Sequence, residues 1–238
     1  MNIRNALAGA LALALMATAA AQELPKKITI VVGFAAGGAA DHAARVVAKR
    51  MGENLGATVV IDNRAGASGN IAHQAVANAE PDGSVILLGS VGPLAIAPHM
   101  MKLGYDAQKD LAPLTMGMNF PNVLVVPPSL GVKTLTELIA LAKKQPGVLN
   151  YGSTGAGSAS HLAGELFNQR VDVVHIPYKG GAPAVTELPG GSLSMYFATL
   201  STAGLLPAPG TRDELANHVD AESKTWGKVI VDRKITAN

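Results

Sequence analysis

Apolar and polar positions along this chain alternate between two rhythms. Residues 28–32 form a run of Ile, Val and Thr, which predicts a buried strand. From 41 to 55 the apolar residues Ala43, Val47, Met51 and Leu55 recur at every fourth position, while Lys49, Arg50 and Glu53 fall off that stripe. That spacing predicts a helix with one buried face. Residues 58–61 read as strand, 71–79 as helix and 85–88 as strand, with small-residue loops at 33–40, 63–70 and 89–93. Pro81-Asp82-Gly83 is a turn, because Pro presets its own φ and Gly accepts a positive one.

The second half repeats the alternation. Residues 122–126 predict a strand ending at Pro127-Pro128. A helix follows over 134–144, with Thr134 as its cap and Glu137 at the capping-box position. Strands are expected at 149–151, 171–176 and 192–197, and helices at 159–167 and 182–188. The stretch 205–210 holds Pro207 and Pro209 and reads as loop or extended chain. Residues 212–219 and 221–230 read as two helical segments. Strand alternating with helix predicts an α/β fold with mostly parallel, doubly wound sheets. Strand, glycine loop and helix occur at 28–55 and recur at 149–167, which predicts two similar lobes.

The N-terminus has a different pattern. Arg4, an apolar run over 6–17 and Ala19, Ala20 and Ala21 have the order of a secretory signal, with cleavage expected after Ala21. No later segment reaches the ~18 unbroken apolar residues of a membrane span, so an exported, soluble product is expected. Composition narrows the classes further. The 238 residues are 48% hydrophobic and 15% charged, which excludes a disordered chain. There is no Cys, hence no disulfide scaffold, thiolate metal site or cysteine nucleophile. A net charge of +2 without a basic run, and 4% aromatics, leave nucleic acid without support as a partner.

The surplus is in small residues, including 26 Gly. A glycine-rich turn ahead of a helix lets an anion reach the unpaired N–H groups of the first helical turn without meeting a Cβ. The phosphate pattern GxxxxGK[ST] fails, because Ser158 stands where Lys is required. GxGxxG fails as well, since Gly152, Gly155 and Gly157 run in the reverse order. With no Lys or Arg inside either loop, a carboxylate fits better than a polyphosphate. Two such loops facing each other across a cleft would bridge a small acid with two anionic ends.

Other residues compete with simpler roles. Asp41 is expected to cap the first helix. His161 and Glu165 are four apart and lack a third ligand for a metal. His42, His73, His99 and His218 are scattered and read as surface or core positions. Ser158, Ser160 and His161 suggest an exported serine hydrolase, but no GxSxG elbow surrounds any Ser. Tyr178 and Lys179 follow a strand end, where ligands of open α/β sheets bind; a solvated turn serves equally for Lys179.

The segments "ITIVVGFAAGGAADHAARVVAKRM", "VVIDNRAGASGNIA", "PDGSVILLGS", "LNYGSTGAGSASHLAGELF" and "HIPYKGGAPAV" resemble, in order and spacing, the Bug-type (TctC-like) receptors. These are the periplasmic substrate-binding proteins of tripartite tricarboxylate transporters. The resemblance implies a two-lobed, hinged α/β receptor of the Venus-flytrap kind, monomeric, without catalysis, metal or cofactor. It binds a small organic acid (a di- or tricarboxylate, an amino acid or an aromatic acid) and delivers it to membrane permease subunits. Carried over by motif, the first lobe would contribute Phe34, Ala35, Gly37, Gly38 and Ser90. The second would contribute Ser153, Gly157, Ser158, His161, Tyr178 and Lys179, with Phe197, Ala198 and Thr199 from the loop after its last strand. The implied division is 1–21 signal peptide, 22–118 plus 203–238 first lobe, and 119–202 second lobe. The chain departs from the family after Ser201 and after Val219, where internal segments are missing, so the second half is shortened. The returning hinge strand is expected among the losses. A truncated receptor with impaired binding is therefore the alternative to a working one.

Overall fold

The protein is described by a computed structural model over residues 24–199, the backbone of 206–207, and 210–236. The leader, its cut after Ala21 and the junction at Ser201 lie outside the described residues.

The first lobe is built on a parallel sheet of order β2-β1-β3, from β1 (Lys27–Val32), β2 (Thr58–Asn63) and β3 (Val85–Leu88). Ile30 lies opposite Ile61 on one side and Ile86 on the other. Helix α1 (Ala39–Leu55) connects β1 to β2, and α2 (Asn70–Ala77) connects β2 to β3. Of the predicted stripe, Ala43 is buried, while Val47 and Met51 pack with Ala44 and Ala48 on Ile30, Val32, Val59 and Ile86. Leu55, at the helix end, is 41% exposed. Past β3 the chain makes a wide π-helical turn, Gly92–Ile96, and a tight 3-10 turn, Ala97–His99, which the sequence pattern does not announce.

The second lobe has a four-stranded sheet of order β5-β8-β6-β7. Its strands are β5 (Asn122–Val125), β6 (Asn150–Ser153), β7 (Val174–Pro177) and β8 (Met195–Thr199). Only the β5–β8 pair is antiparallel. Helices α3 (Leu135–Lys144), α4 (Ala159–Asn168) and α5 (Gly181–Glu187) complete it. Thr134 caps α3 as predicted: its hydroxyl accepts from Glu137 N–H at 3.2 Å while Glu137 reaches back to Thr134 N–H at 3.1 Å. The core gathers Leu138, Ala142, Leu149, Tyr151, Val173 and Met195. Gly164 on α4 is there to admit Tyr151, since a Cβ would fall 2.0 Å from the ring.

Two expectations are corrected. Residues past the junction do form a strand: β4 (Met118–Asn119) pairs antiparallel with β9 (Leu206–Pro207). The two C-terminal segments are one helix, α6 (Arg212–Arg233), running unbroken through Val219 and Asp220. Its cap is a second Thr/Glu box, Thr211 with Glu214. Helix α6 bears on both lobes. Ile230 and Trp226 pack with Ile96 of the first lobe and Leu162 and Leu166 of the second. His99 Nε2 lies 2.8 Å from Ser223 Oγ, and Gln169 donates to the Arg233 carbonyl at 3.1 Å.

Candidate functional site

Both glycine loops leave the carboxyl ends of parallel strands, where open α/β sheets place their ligands. In the first lobe, Phe34 to Gly38 lead into α1. The cap of α1 is Gly38, not Asp41, and no side chain caps it. Asp41 sits one turn in, buried, and reaches back to accept from Gly37 N–H at 2.9 Å. Arg45 holds the same carboxylate through two bonds of 2.9 and 3.0 Å. That guanidinium, ahead of burial acting the other way, keeps the Asp41 pKa below the usual carboxylate range. Gly37 therefore spends its N–H on Asp41. The Phe34 carbonyl accepts from Asn63 Nδ2 at 3.1 Å. Ser90, at the end of β3, has a buried hydroxyl with no hydrogen-bond partner among the described residues.

In the second lobe the loop between β6 and α4 is a closed polar network. Ser153 Oγ accepts from Gly155 N–H at 3.0 Å and lies 2.7 Å from His175 Nε2. Ser158 is the N-cap of α4, accepting from the backbone N–H of His161 at 3.1 Å. Ser160 accepts from Thr154 N–H at 2.9 Å and meets Ser158 Oγ at 3.0 Å. His161 is buried, and its Nδ1 accepts from Gly157 N–H at 3.3 Å. An accepting Nδ1 puts the ring proton on Nε2. Burial, reinforced by the neighbouring His175, holds the His161 pKa down to about 4, so the ring is neutral. Its ring lies 4.4 Å from that of His175, which stacks on Tyr151 at 4.9 Å.

The two loops meet. Ala35 N–H donates to the Lys179 carbonyl at 3.1 Å, and Gly180 rests on Ala35. Gly92, two residues past Ser90, lies against Gly157 and Ser158. The N-termini of α1 and α5, one from each lobe and neither capped by a side chain, thus flank one junction. Unpaired helical N–H groups with the positive end of the dipole favour an anion there.

Of the residues carried over by motif, Phe34, Ala35, Gly38, Gly157, Ser158 and Lys179 lie at or beside this seam, and Ser90 on the loop that leads to Gly92. Ser153 and His161 lie beneath it as braces. Tyr178 packs on Gly152 and donates to Glu187 at 2.9 Å. Phe197, Ala198 and Thr199 belong to β8 itself, paired with Leu124, Val123 and Asn122, rather than to a loop. Phe197 is edge-on to Tyr151 in the core. His175 opens the segment "HIPYKGGAPAV" but has no role there, since only the fold brings it under Ser153.

The hydrolase and metal arrangements do not assemble. The His161 ring engages Gly157 rather than the hydroxyl of Ser158 or Ser160. Glu165 accepts from the Tyr151 phenol instead of facing His161. Among the described residues no group of three potential ligands could hold a metal.

Fold and site together define a periplasmic-binding-protein architecture. The profile of the tripartite tricarboxylate transporter family receptor (TctC) matches residues 43–223, and the chain belongs to that family. It is a family of receptors rather than of enzymes. Among curated relatives, the chain is 41% identical over 170 residues to BugT of Bordetella pertussis, covering 70% of this chain and 52% of that one. It is 37% identical over 179 residues to the UPF0065 protein in the tcbD-tcbE intergenic region of Pseudomonas sp. (strain P51), covering 74% and 53%. The chain spans about half the length of the curated relatives it matches. Among solved structures, a periplasmic transporter superposes with a TM-score of 0.85 at 26% identity, over 89% of this chain and 98% of that chain. An R. palustris protein with adipate gives 0.81 at 27% identity, over 88% and 98%. MatC from Rhodopseudomonas palustris with bound malate gives 0.68 at 32% identity, over 71% and 58%.

Proposed function

We propose that the chain is an extracytoplasmic solute receptor that closes its lobes on a small organic acid and delivers it to the permease subunits of a tripartite tricarboxylate transporter. It would act as a monomer in the periplasm, after cleavage following Ala21, without catalysis. The observation that carries this reading is the seam between the lobes, where the loop leading into α1 meets the turn ahead of α5 and the loop after β3 meets the loop between β6 and α4. A carboxylate there would compete for the Ala35 N–H now given to Lys179 O, and would find donors in the first turn of α1 and in Ser90. The relatives solved with adipate and malate support a dicarboxylate as the ligand class. The lobes would divide as 22–118 plus 203–238 and 119–202, with β4 and β9 as the crossing strands.

The chain's length relative to its relatives favours a second reading, a shortened receptor that binds weakly. The paired β4–β9 crossing and the continuous α6 weigh against it. Mass spectrometry of protein purified under native conditions separates the two. The receptor reading expects a stoichiometric small acid released on denaturation. Folded protein that carries nothing and takes up nothing from a pool of organic acids would contradict it.

A further inference from the structure

The turn between β2 and α2 has no place in the site described above, yet it bonds across the seam between the lobes. Ala67 and Ser68 both adopt left-handed backbone, with φ of 45° and 59°. Neither is Gly, and such residues persist in that region only where their surroundings hold them. The turn is braced from within the first lobe. Asn70 Nδ2 donates to the Ala67 carbonyl at 2.7 Å, and Gly69 N–H to the Gly66 carbonyl at 2.9 Å. Gly69 also lies against Gly33 and the Phe34 ring, so the turn is fixed to the loop that leads into α1.

What this turn presents is one hydroxyl. Ser68 is 4% exposed, and its Oγ donates to the carbonyl of Ala156, in the second lobe's loop. Gly155 makes the approach possible: a Cβ there would stand 2.5 Å from Ser68 Oγ and 3.2 Å from its N. Ala156 lies between Gly155 and Gly157, whose N–H is held by His161. Folding of the first lobe needs the backbone of this turn but not its hydroxyl, whose partner belongs to the other lobe.

We propose that Ser68 is a positioning residue that latches the closed state, fixing the Gly155–Gly157 backbone for the ligand and slowing its release. The inference rests on the receptor reading above. Two variants test it. Ser68→Gly removes the hydroxyl and suits the left-handed backbone; Ser68→Ala removes the hydroxyl and keeps the strain. In the protein alone, amide exchange at 155–158 should rise about tenfold in both variants, the effect of losing one buried hydrogen bond. Exchange in β1 and β6 should be unchanged, and Ser68→Gly should melt no lower than wild type. With malate or adipate as the probe, dissociation should speed up about tenfold at an unchanged association rate. Ser68→Gly with wild-type exchange at 155–158 and wild-type release would overturn the latch. Wild type that binds neither acid would count against the receptor reading, while the exchange comparison would still decide the latch.

Discussion

His161 and His73 are held neutral by the same cause but in opposite tautomers. His161 accepts a backbone N–H at Nδ1, whereas His73 donates from Nδ1 to the Gly69 carbonyl at 2.9 Å. Both are buried, and burial is the first cause that lowers each pKa from 6.5 to about 4. The native state therefore binds fewer protons than the unfolded chain between those values. The stability this contributes is whole above pH 6.5 and is lost as pH falls towards 4. At pH 5 the loss is about 2 kcal/mol per histidine. Thermal melts should drop by roughly 10 °C between pH 7 and pH 5, and less in a His73→Gln/His161→Gln variant; equal drops would show that other groups control the acid limb. At this scale the sequence was readable where chemistry is local. Thr134 and Glu137 announce their box through spacing alone. Asp41 was misplaced because Ala39 and Ala40, which open α1, carry no start signal. His175 and Ser68 stayed hidden because their partners lie 22 and 88 residues away.

Among the elements, α6 tests the packing most sharply. Ile230 is buried at the point where α6 meets Ile96 and Leu162, and Trp226, the single tryptophan of the chain, joins that cluster. Ile230→Ala should cost about 2–5 kcal/mol and shift Trp226 emission to the red; unchanged melting and emission would mean that α6 contributes nothing to the seam. Long periodic elements were visible in the sequence. The helix at 41–55 and the strands at 28–32 and 85–88 appear within two residues of their expected ends. The β4–β9 pair was not visible, because two residues per strand carry no period and Pro207 argues against a strand. The pattern reads 212–219 and 221–230 as separate segments, whereas α6 runs through Asp220 without a break. Its Thr211 and Glu214 spelled a second capping box that announces a helix start on its own terms.

For the whole molecule, the surplus of glycine has a physical reason. The lobes meet backbone to backbone, Gly180 on Ala35, Gly92 on Gly157 and Gly155 on Ser68, at distances a side chain would prevent. The two-lobed plan could be read from the repeated strand, loop and helix. That the loops touch could not, since it depends on how the β4–β9 crossing and α6 set one lobe on the other. Each lobe has a sheet and loops of both lobes meet at the seam, so binding is expected. Titration calorimetry of the folded protein with malate and adipate at pH 7 measures this directly. Saturable heat at one site per chain, with an upward shift in melting temperature as free acid exceeds Kd, is the expected result. A cooperatively folding protein that gives no heat with either acid, or with a wider panel of di- and tricarboxylates, would contradict it.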